Sequence, residues 1–61
     1  MKRIPLGYLK CKDIFYFKEH KYRVKYRVNS LVSNTCSVSC TNLATNKIVI
    51  FHIYTLVEVE E

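Results

Sequence analysis

Glycine, proline and acidic side chains are scarce in this sequence. It has one glycine and one proline in 61 residues, and its acidic side chains number half its basic ones. Without a glycine-rich segment, the sequence contains no phosphate-binding loop or dinucleotide-binding signature. No apolar run approaches the roughly 20 residues of a membrane span, and Pro5, Gly7 and Lys10 interrupt the apolar stretch that a secretory signal needs. We therefore expect a cytoplasmic protein.

The length of the chain limits it to a single small domain. A chain of 61 residues hides only about 60% of the surface that its unfolded form exposes, so its stability is marginal. A bound partner or a second copy of the chain would add the stability that so thin a core lacks. The residues present indicate no reaction, and the core leaves little room for a catalytic cleft, so we predict that the protein is not an enzyme.

The three cysteines are odd in number and lack the close pairs typical of zinc and redox sites. In an extended strand the Cα atoms of Cys36 and Cys40 lie roughly 13 Å apart, whereas a disulfide requires about 7 Å or less. We therefore predict reduced thiols that pack as small core residues. No histidine stands at ligand spacing from a cysteine, and we predict neither a metal site nor a cofactor.

The most informative segment is the one in which basic residues alternate with apolar or aromatic ones. In a strand, this alternation sends neighbouring side chains to opposite faces. The basic face comprises Lys21, Arg23, Lys25 and Arg27, and the opposite face comprises Tyr22, Val24, Tyr26 and Val28. The basic row spans about 20 Å, comparable with about six nucleotides of duplex rise. Lys12 and Lys18 are expected to widen the basic surface, and Tyr16 is placed to stack on an unpaired base.

Charge is unevenly distributed along the chain. The first 27 residues hold nine of the ten cations and a net charge of +7, whereas the remainder has a net charge of −2. A basic region of this kind suits a phosphate backbone or an acidic protein surface. The alternative is that the cations keep a small barrel soluble and protect an edge strand from pairing with other chains.

The rest of the sequence divides into an arm and several short strands. We predict an N-terminal arm over residues 1–12 and a single domain over residues 13–60. The turn residues of 29–34 indicate either a loop or an irregular end of the basic strand. Besides the basic strand, the predicted strands are 13–18, 35–41, 48–53 and 56–60. In segment 35–41, Cys36, Val38 and Cys40 are expected to face inward, opposite a row of hydroxyl side chains that includes Thr35.

The segment 48–53 is apolar on both faces, so alternation does not decide which face is buried. One explanation is that the N-terminal arm or the curvature of a small barrel covers the second face. The other is that a partner protein or a second copy of the chain covers it. Ile50, Phe51 and Tyr54 are the candidate apolar contacts for such a partner.

Five short strands in meander order, with no convincing helix, most simply close into a small SH3-like barrel. We therefore predict an all-β chain with a five-stranded SH3-like barrel. The length disfavours the larger OB-type barrel.

Several short motifs mark strand starts, a hairpin and a closing strand. They are Leu9-x-x-x-Asp13-Ile14-Phe15-Tyr16-Phe17, Tyr22-x-Val24, Cys40-Thr41-Asn42-Leu43-x-Thr45-Asn46-Lys47, Phe51-His52 and Thr55-x-Val57-Glu58-Val59. Together they resemble small SH3-like barrel proteins that are frequent in bacteriophage genomes. Lys12 stands where such proteins often have a glycine before the aspartate. The resemblance implies a phage accessory protein of the host cytoplasm, and it brings no catalytic residues.

Two kinds of binding fit the sequence. The basic row is suited to nonspecific contact with a nucleic-acid backbone, because nothing in its side chains implies recognition of particular bases. The alternative is a stoichiometric inhibitor or adaptor of host or defence machinery that docks on an acidic host protein, since arginine and tyrosine are common in interface hot spots. A further hypothesis is a homodimer formed through an exposed strand.

Overall fold

The computed structural model describes residues 2–32 and 36–60. These residues form one antiparallel sheet of six strands, in the order β1-β6-β2-β3-β4-β5. The strands are β1 (Lys2–Pro5), β2 (Ile14–Glu19), β3 (Tyr22–Val32), β4 (Ser37–Asn42), β5 (Ile48–His52) and β6 (Leu56–Val59), with a 3-10 turn at Leu6–Tyr8. The predicted all-β class is confirmed. In the described part of the chain, no helix has the length and apolar character to cross a membrane.

The strand count differs from the predicted five because part of the N-terminal arm is itself a strand. In β1, Ile4 stands opposite Val57 of β6, so an apolar side chain of the arm joins the core. This pairing also changes the predicted meander, since β6 lies between β1 and β2. A segment of only four residues is too short for its alternation to predict a strand, and it does not indicate which distant strand it pairs with.

The two edge strands, β1 and β5, approach each other at one corner without pairing as strands. The N–H groups of Leu6 and Gly7 donate to the carbonyls of Thr55 and Ile53, each at 2.8 Å. A Cβ atom at Gly7 would lie 3.1 Å from that of Ile53, so glycine permits this close approach. The sheet is therefore curled but not closed, and the SH3-like barrel stays a prediction.

Two tight bends determine where β2 begins and ends. Lys12, before the strand, has φ of 74° and donates its N–H to the Val28 carbonyl at 2.8 Å. This left-handed conformation is the one that glycine adopts most readily. At the other end, Glu19 pairs with Tyr22, so His20 and Lys21 form the turn, and His20 has the positive φ of 52° that such hairpin turns require. Lys21 thus lies in the turn and not in the predicted strand.

The strand β3 continues to Val32, so residues 29–32 form an irregular end of the basic strand, the second of the two predicted alternatives. An irregularity between Val28 and Ser30 shifts the pairing with β4 by one residue, as in a β-bulge. The side-chain amide of Asn29 donates to Thr41 Oγ1 at 2.7 Å, which gives the polar residue a partner within the sheet. Ser33, Asn34 and Thr35 lie outside the described residues.

The core lies on the concave side of the sheet. Its buried members are Leu6, Phe15, Tyr26, Val28, Val38, Cys40 and Val57. Phe15 is completely buried and its ring stacks on that of Tyr26, with the ring centroids 5.4 Å apart. The predicted inward face of β3 is therefore confirmed at Tyr26 and Val28, whereas Tyr22, near the hairpin turn, is exposed.

The pairing of β5 with β4 settles which face of β5 is buried. Phe51 stands opposite Val38, and Val49 stands opposite Cys40, so both residues face the core. The ring of Phe51 lies 5.1 Å from those of Phe17 and Tyr26, measured between centroids. Phe51 is thus half-buried within an aromatic cluster, and this position on the core side does not support the prediction that Phe51 contacts a partner.

The cysteines occupy three different environments. All three are free, but only Cys40 is buried, and burial raises the pKa of its thiol to about 11. Cys11 and Cys36 are exposed, so the prediction that Cys36 faces the core is wrong. Cys36 precedes β4 and has φ of 54°, which interrupts the alternation on which that prediction depended.

Candidate nucleic-acid interface

The basic row of β3 lies on the convex, outer face of the sheet. Arg23, Lys25 and Arg27 are all exposed, and they alternate with residues that face the core. Burial of Tyr26 and Val28 determines this orientation, because a shift of one residue would move every side chain of the strand to the other face. The core therefore holds the basic row in place.

Register with β2 extends this surface by one strand. Lys18 stands opposite Arg23, and Tyr16 stands opposite Lys25, so both side chains share the outer face with the basic row. On the far side of β2, Tyr16 also stands opposite Glu58 of β6. Tyr16 thus lies at the centre of the outer face, between the cations of β3 and those near the β1 edge.

Arg3 is a member of this surface that the sequence analysis missed. It stands opposite Glu58 in the β1–β6 pair and lines a groove of about 270 Å³ with Tyr16, Lys18 and Glu58. No local pattern in the sequence places Arg3 there, since its position follows from the pairing of the two chain ends. We define the cationic face as Arg3, Lys18, Arg23, Lys25 and Arg27, with Tyr16 among them.

A carboxylate already lies among these cations. Arg23 reaches across β2, and its Nε donates to Glu58 Oε1 at 3.2 Å. This hydrogen bond lowers the pKa of Glu58, and the nearby charges of Arg23, Arg3 and Lys18 lower it further. Arg23 contacts the carboxylate directly, and Arg3 and Lys18 line the same groove near it. Cations from three strands thus lie around one anionic group, an arrangement that would also suit a phosphate.

The hydroxyl of Tyr16 is tethered at the edge of the same groove. It donates to Glu60 Oε1 at 3.0 Å, and this hydrogen bond raises the pKa of Tyr16. The same hydrogen bond holds the tyrosine ring on the outer face. An aromatic ring in this position offers a stacking surface for an unpaired base.

The remaining predicted basic residues lie at the ends of this surface. Lys12 lines a second groove with Arg27 and Asn29, so the structure brings it beside one end of the row. Lys21 is exposed in the hairpin turn at the opposite end. Ile50 and Tyr54, the other candidate partner contacts, are 58% and 73% exposed, and they belong to the β5 side of the molecule.

The strand partners of β3 differ along its length. β3 pairs with β2 over Tyr22–Arg27 and with β4 over Tyr26–Val32. Arg23 and Lys25 precede the pairing with β4, so protection of a partly open edge stays an alternative explanation for their charges.

The histidines and cysteines do not assemble into a site. Within residues 2–32 and 36–60, no three His, Cys, Asp or Glu side chains cluster in a way that would hold a metal ion. His52 instead accepts a hydrogen bond from the backbone N–H of Tyr54, at 3.1 Å from its Nδ1.

Comparison of the chain with protein-family models, with curated proteins and with solved structures finds no match.

Proposed function

We propose that this protein is a non-enzymatic binding protein that holds a nucleic-acid backbone, without sequence preference, on its cationic face. The observation that supports this proposal most strongly is the groove that Arg3 and Lys18 line together with Glu58, whose carboxylate is bonded to Arg23, because cations of three strands lie around one anionic group. A phosphate group presents the same kind of anionic oxygen, and neutralising phosphates releases condensed counterions.

The dimensions of the cationic face fit several phosphates at once. Arg23 and Arg27 are four residues apart in one strand, or about 13 Å, which matches roughly four nucleotides of duplex rise. About four phosphate contacts imply that affinity falls roughly 100-fold between about 50 and 200 mM salt. Salt dependence of this size is the expected signature of the proposed binding.

The same surface supports backbone contact more than base recognition. Sequence-specific proteins place hydrogen-bonding side chains against base edges in a groove, whereas a broad convex face of cations meets phosphates. Tyr16 adds a stacking position for an unpaired base, so a single strand should bind at least as tightly as a duplex.

We also infer that the curled sheet is a variant of the small SH3-like barrels and that the protein is a phage accessory protein of the host cytoplasm. The corner formed by Leu6, Gly7 and the segment after β5 supports the barrel, because it brings the two edges of the sheet together. The origin rests on the sequence motifs alone.

A stoichiometric inhibitor or adaptor that binds a host protein is the second candidate. The supporting observation is an apolar groove of about 220 Å³ lined by Pro5, Gly7, Tyr8, Ile53 and Tyr54. Tyr8 and Tyr54 are 77% and 73% exposed, and exposed tyrosines are frequent hot spots of protein interfaces.

A pull-down of the tagged protein from lysate, with and without nuclease, separates the two candidates. We expect nucleic acid to be recovered, and we expect it to be lost after nuclease treatment. The double variant Arg23→Glu, Arg27→Glu should also lose it, while thermal unfolding shows that the variant remains folded. A nuclease-resistant host protein recovered in stoichiometric amount, with no nucleic acid, would contradict the proposal and favour the inhibitor.

A further inference from the structure

The two edges of the sheet differ in how they are protected. β1 contains Lys2, Arg3 and Pro5, the charged and proline residues that usually keep an edge from pairing. β5 contains Ile48, Val49, Ile50, Phe51 and His52, with no proline and no acidic, lysine or arginine side chain. Its register with β4 is regular, so no bulge turns it away from a neighbouring strand. β5 is thus an edge without the usual protection.

Within the described residues, the backbone of β5 has hydrogen-bonding groups without a strand partner at this edge. Just outside the strand, the Lys47 carbonyl accepts from Asn42 and the Ile53 N–H donates to Cys36, so both point toward β4. Alternate residues of a strand point their backbone groups to opposite sides. The N–H and carbonyl groups of Ile48 and Ile50 therefore face away from β4, toward the free edge.

The side chains of the same two residues are the exposed ones. Ile48 and Ile50 are 67% and 58% exposed on the outer face, because Val49 and Phe51 occupy the inner face. A strand added at this edge would therefore satisfy the backbone groups and cover apolar surface together.

We propose that a second copy of this chain pairs antiparallel with β5 around a two-fold axis at Val49. In this register Ile48 of each copy stands opposite Ile50 of the other, so four isoleucines form one cluster on the outer face. Both Ile48–Ile50 pairs are hydrogen-bonded pairs, in which the two residues exchange their N–H and carbonyl groups. In each copy, Gly7 of the 3-10 turn donates its N–H to the carbonyl of Ile53, just beyond β5. An axis at Val49 centres the pairing on the other end of β5, away from this turn.

The distribution of charge favours a second copy over an acidic or basic partner. The chain has a net charge of +5, and its cationic face lies on β1, β2 and β3, away from this edge. The outer face of β4 and β5 consists of serine, threonine, isoleucine and histidine side chains. It has no acidic, lysine or arginine side chain that would attract a charged surface. In the proposed register the two Lys47 residues lie at opposite ends of the paired strands, about 13 Å apart along the strand direction, which limits their repulsion.

The oligomeric state of the full chain in solution tests this proposal. Sedimentation equilibrium of the wild type should give a mass that rises with concentration from 7.2 kDa toward twice that value. Ile50→Lys should weaken self-association at least about tenfold, because it places a charge in the isoleucine cluster of each copy. Circular dichroism checks that this exposed substitution leaves the fold intact.

Leu31→Lys is the matched control. Leu31 is also exposed, at 65%, and gains the same charge, but it lies on β3, opposite Val38 and on the far side of β4 from β5. This variant should associate like the wild type. Equal weakening by both substitutions would overturn the proposal, since it would indicate general charge repulsion.

Hydrogen exchange gives a residue-level readout of the proposed register. As concentration rises, the amides of Ile48 and Ile50 should become protected, whereas the amide of Val49, which faces β4, should be protected throughout. A mass of 7.2 kDa at concentrations up to about 1 mM would overturn the proposal. So would a dimer in which these two amides exchange as fast as in the monomer.

Discussion

The outer face of the sheet has two halves that share a fold but differ in chemistry. Over β1, β6, β2 and β3 it presents the cationic face, whereas over β4 and β5 it presents hydroxyls and isoleucines. The inner side is apolar under both halves. β4 is an inner strand of the sheet and has serine and threonine on its outer face. An inner strand of this fold therefore does not need cations on its outer face. The proposed nucleic-acid binding would account for the clustering of charge on one half.

The largest expected effect is on the free energy of unfolding, when core phenylalanines of the two halves are truncated. We expect Phe15→Ala in β2 to lower the free energy of unfolding by about 3–5 kcal/mol, because it leaves a cavity where a completely buried ring stood. Phe51→Ala in β5, whose half-buried ring belongs to the same aromatic cluster, should lower it by at least about 2 kcal/mol. Ile50→Ala should change it by less than about 0.5 kcal/mol at protein concentrations low enough to keep chains separate. Urea denaturation measures all three. A small effect of Phe51→Ala would mean that this ring is not part of the core.

The rates at which the three thiols react test the difference between the buried side of the sheet and the exposed surface. Burial raises the pKa of Cys40 from 9.0 to about 11, which reduces its thiolate about 100-fold at a given pH below both values. Alkylation near neutral pH should therefore modify Cys11 and Cys36 quickly, and Cys40 at least about 100-fold more slowly until the chain is unfolded. Mass spectrometry of the modified peptides follows each site. Three equal rates would contradict the buried position of Cys40.

Glu58 provides a test confined to the cationic half. Glu58→Gln should strengthen nucleic-acid binding by about three- to tenfold and steepen its salt dependence, because it frees Arg23 and removes an acid from the face. Glu19→Gln, at the exposed end of β2, removes the same charge and serves as the control. Fluorescence anisotropy with a labelled oligonucleotide compares the two variants. If both strengthened binding equally, net charge rather than this site would be responsible.

The smallest effect concerns acid stability. The pKa of Glu58 is lowered in the folded protein, so the Arg23–Glu58 interaction stabilises the fold above the usual carboxyl range and is lost as pH falls through the lowered value. Between about pH 5 and pH 3, the wild type should therefore lose more stability than Glu58→Gln. Urea denaturation across this range measures the difference. Equal losses of stability in the wild type and in Glu58→Gln would show that the Arg23–Glu58 ion pair does not form in solution.

The parts of the fold that were predictable are those whose information is local. Alternation identified β2 and the first part of β3, and it placed Val38, Cys40 and Val57 in the core. In the first part of β3 and in β4 one face is apolar and the other polar, so each of these two segments contains enough information to orient its side chains.

The features that were missed depend on residues far apart in sequence or on unusual backbone angles. The pairing of β1 with β6, which brings Arg3 to the cationic face, joins the two ends of the chain. The buried face of β5 follows from its register with β4, since both of its faces are apolar. The positive φ of Cys36 and the bulge near Asn29 interrupt the alternation from which the predictions were made.

The central claim is that the position of the charges, and not their number, determines binding. Two double variants with the same net charge test it: Arg23→Gln with Arg27→Gln on the cationic half, and Ser39→Glu with Ala44→Glu on the uncharged half. In salt titrations of oligonucleotide binding, we predict that the first pair weakens affinity about tenfold or more and reduces the salt slope by about two, because two phosphate contacts are lost. The second pair should change affinity less than about threefold and leave the slope unaltered. Equal losses of affinity and slope in the two variants would contradict the account.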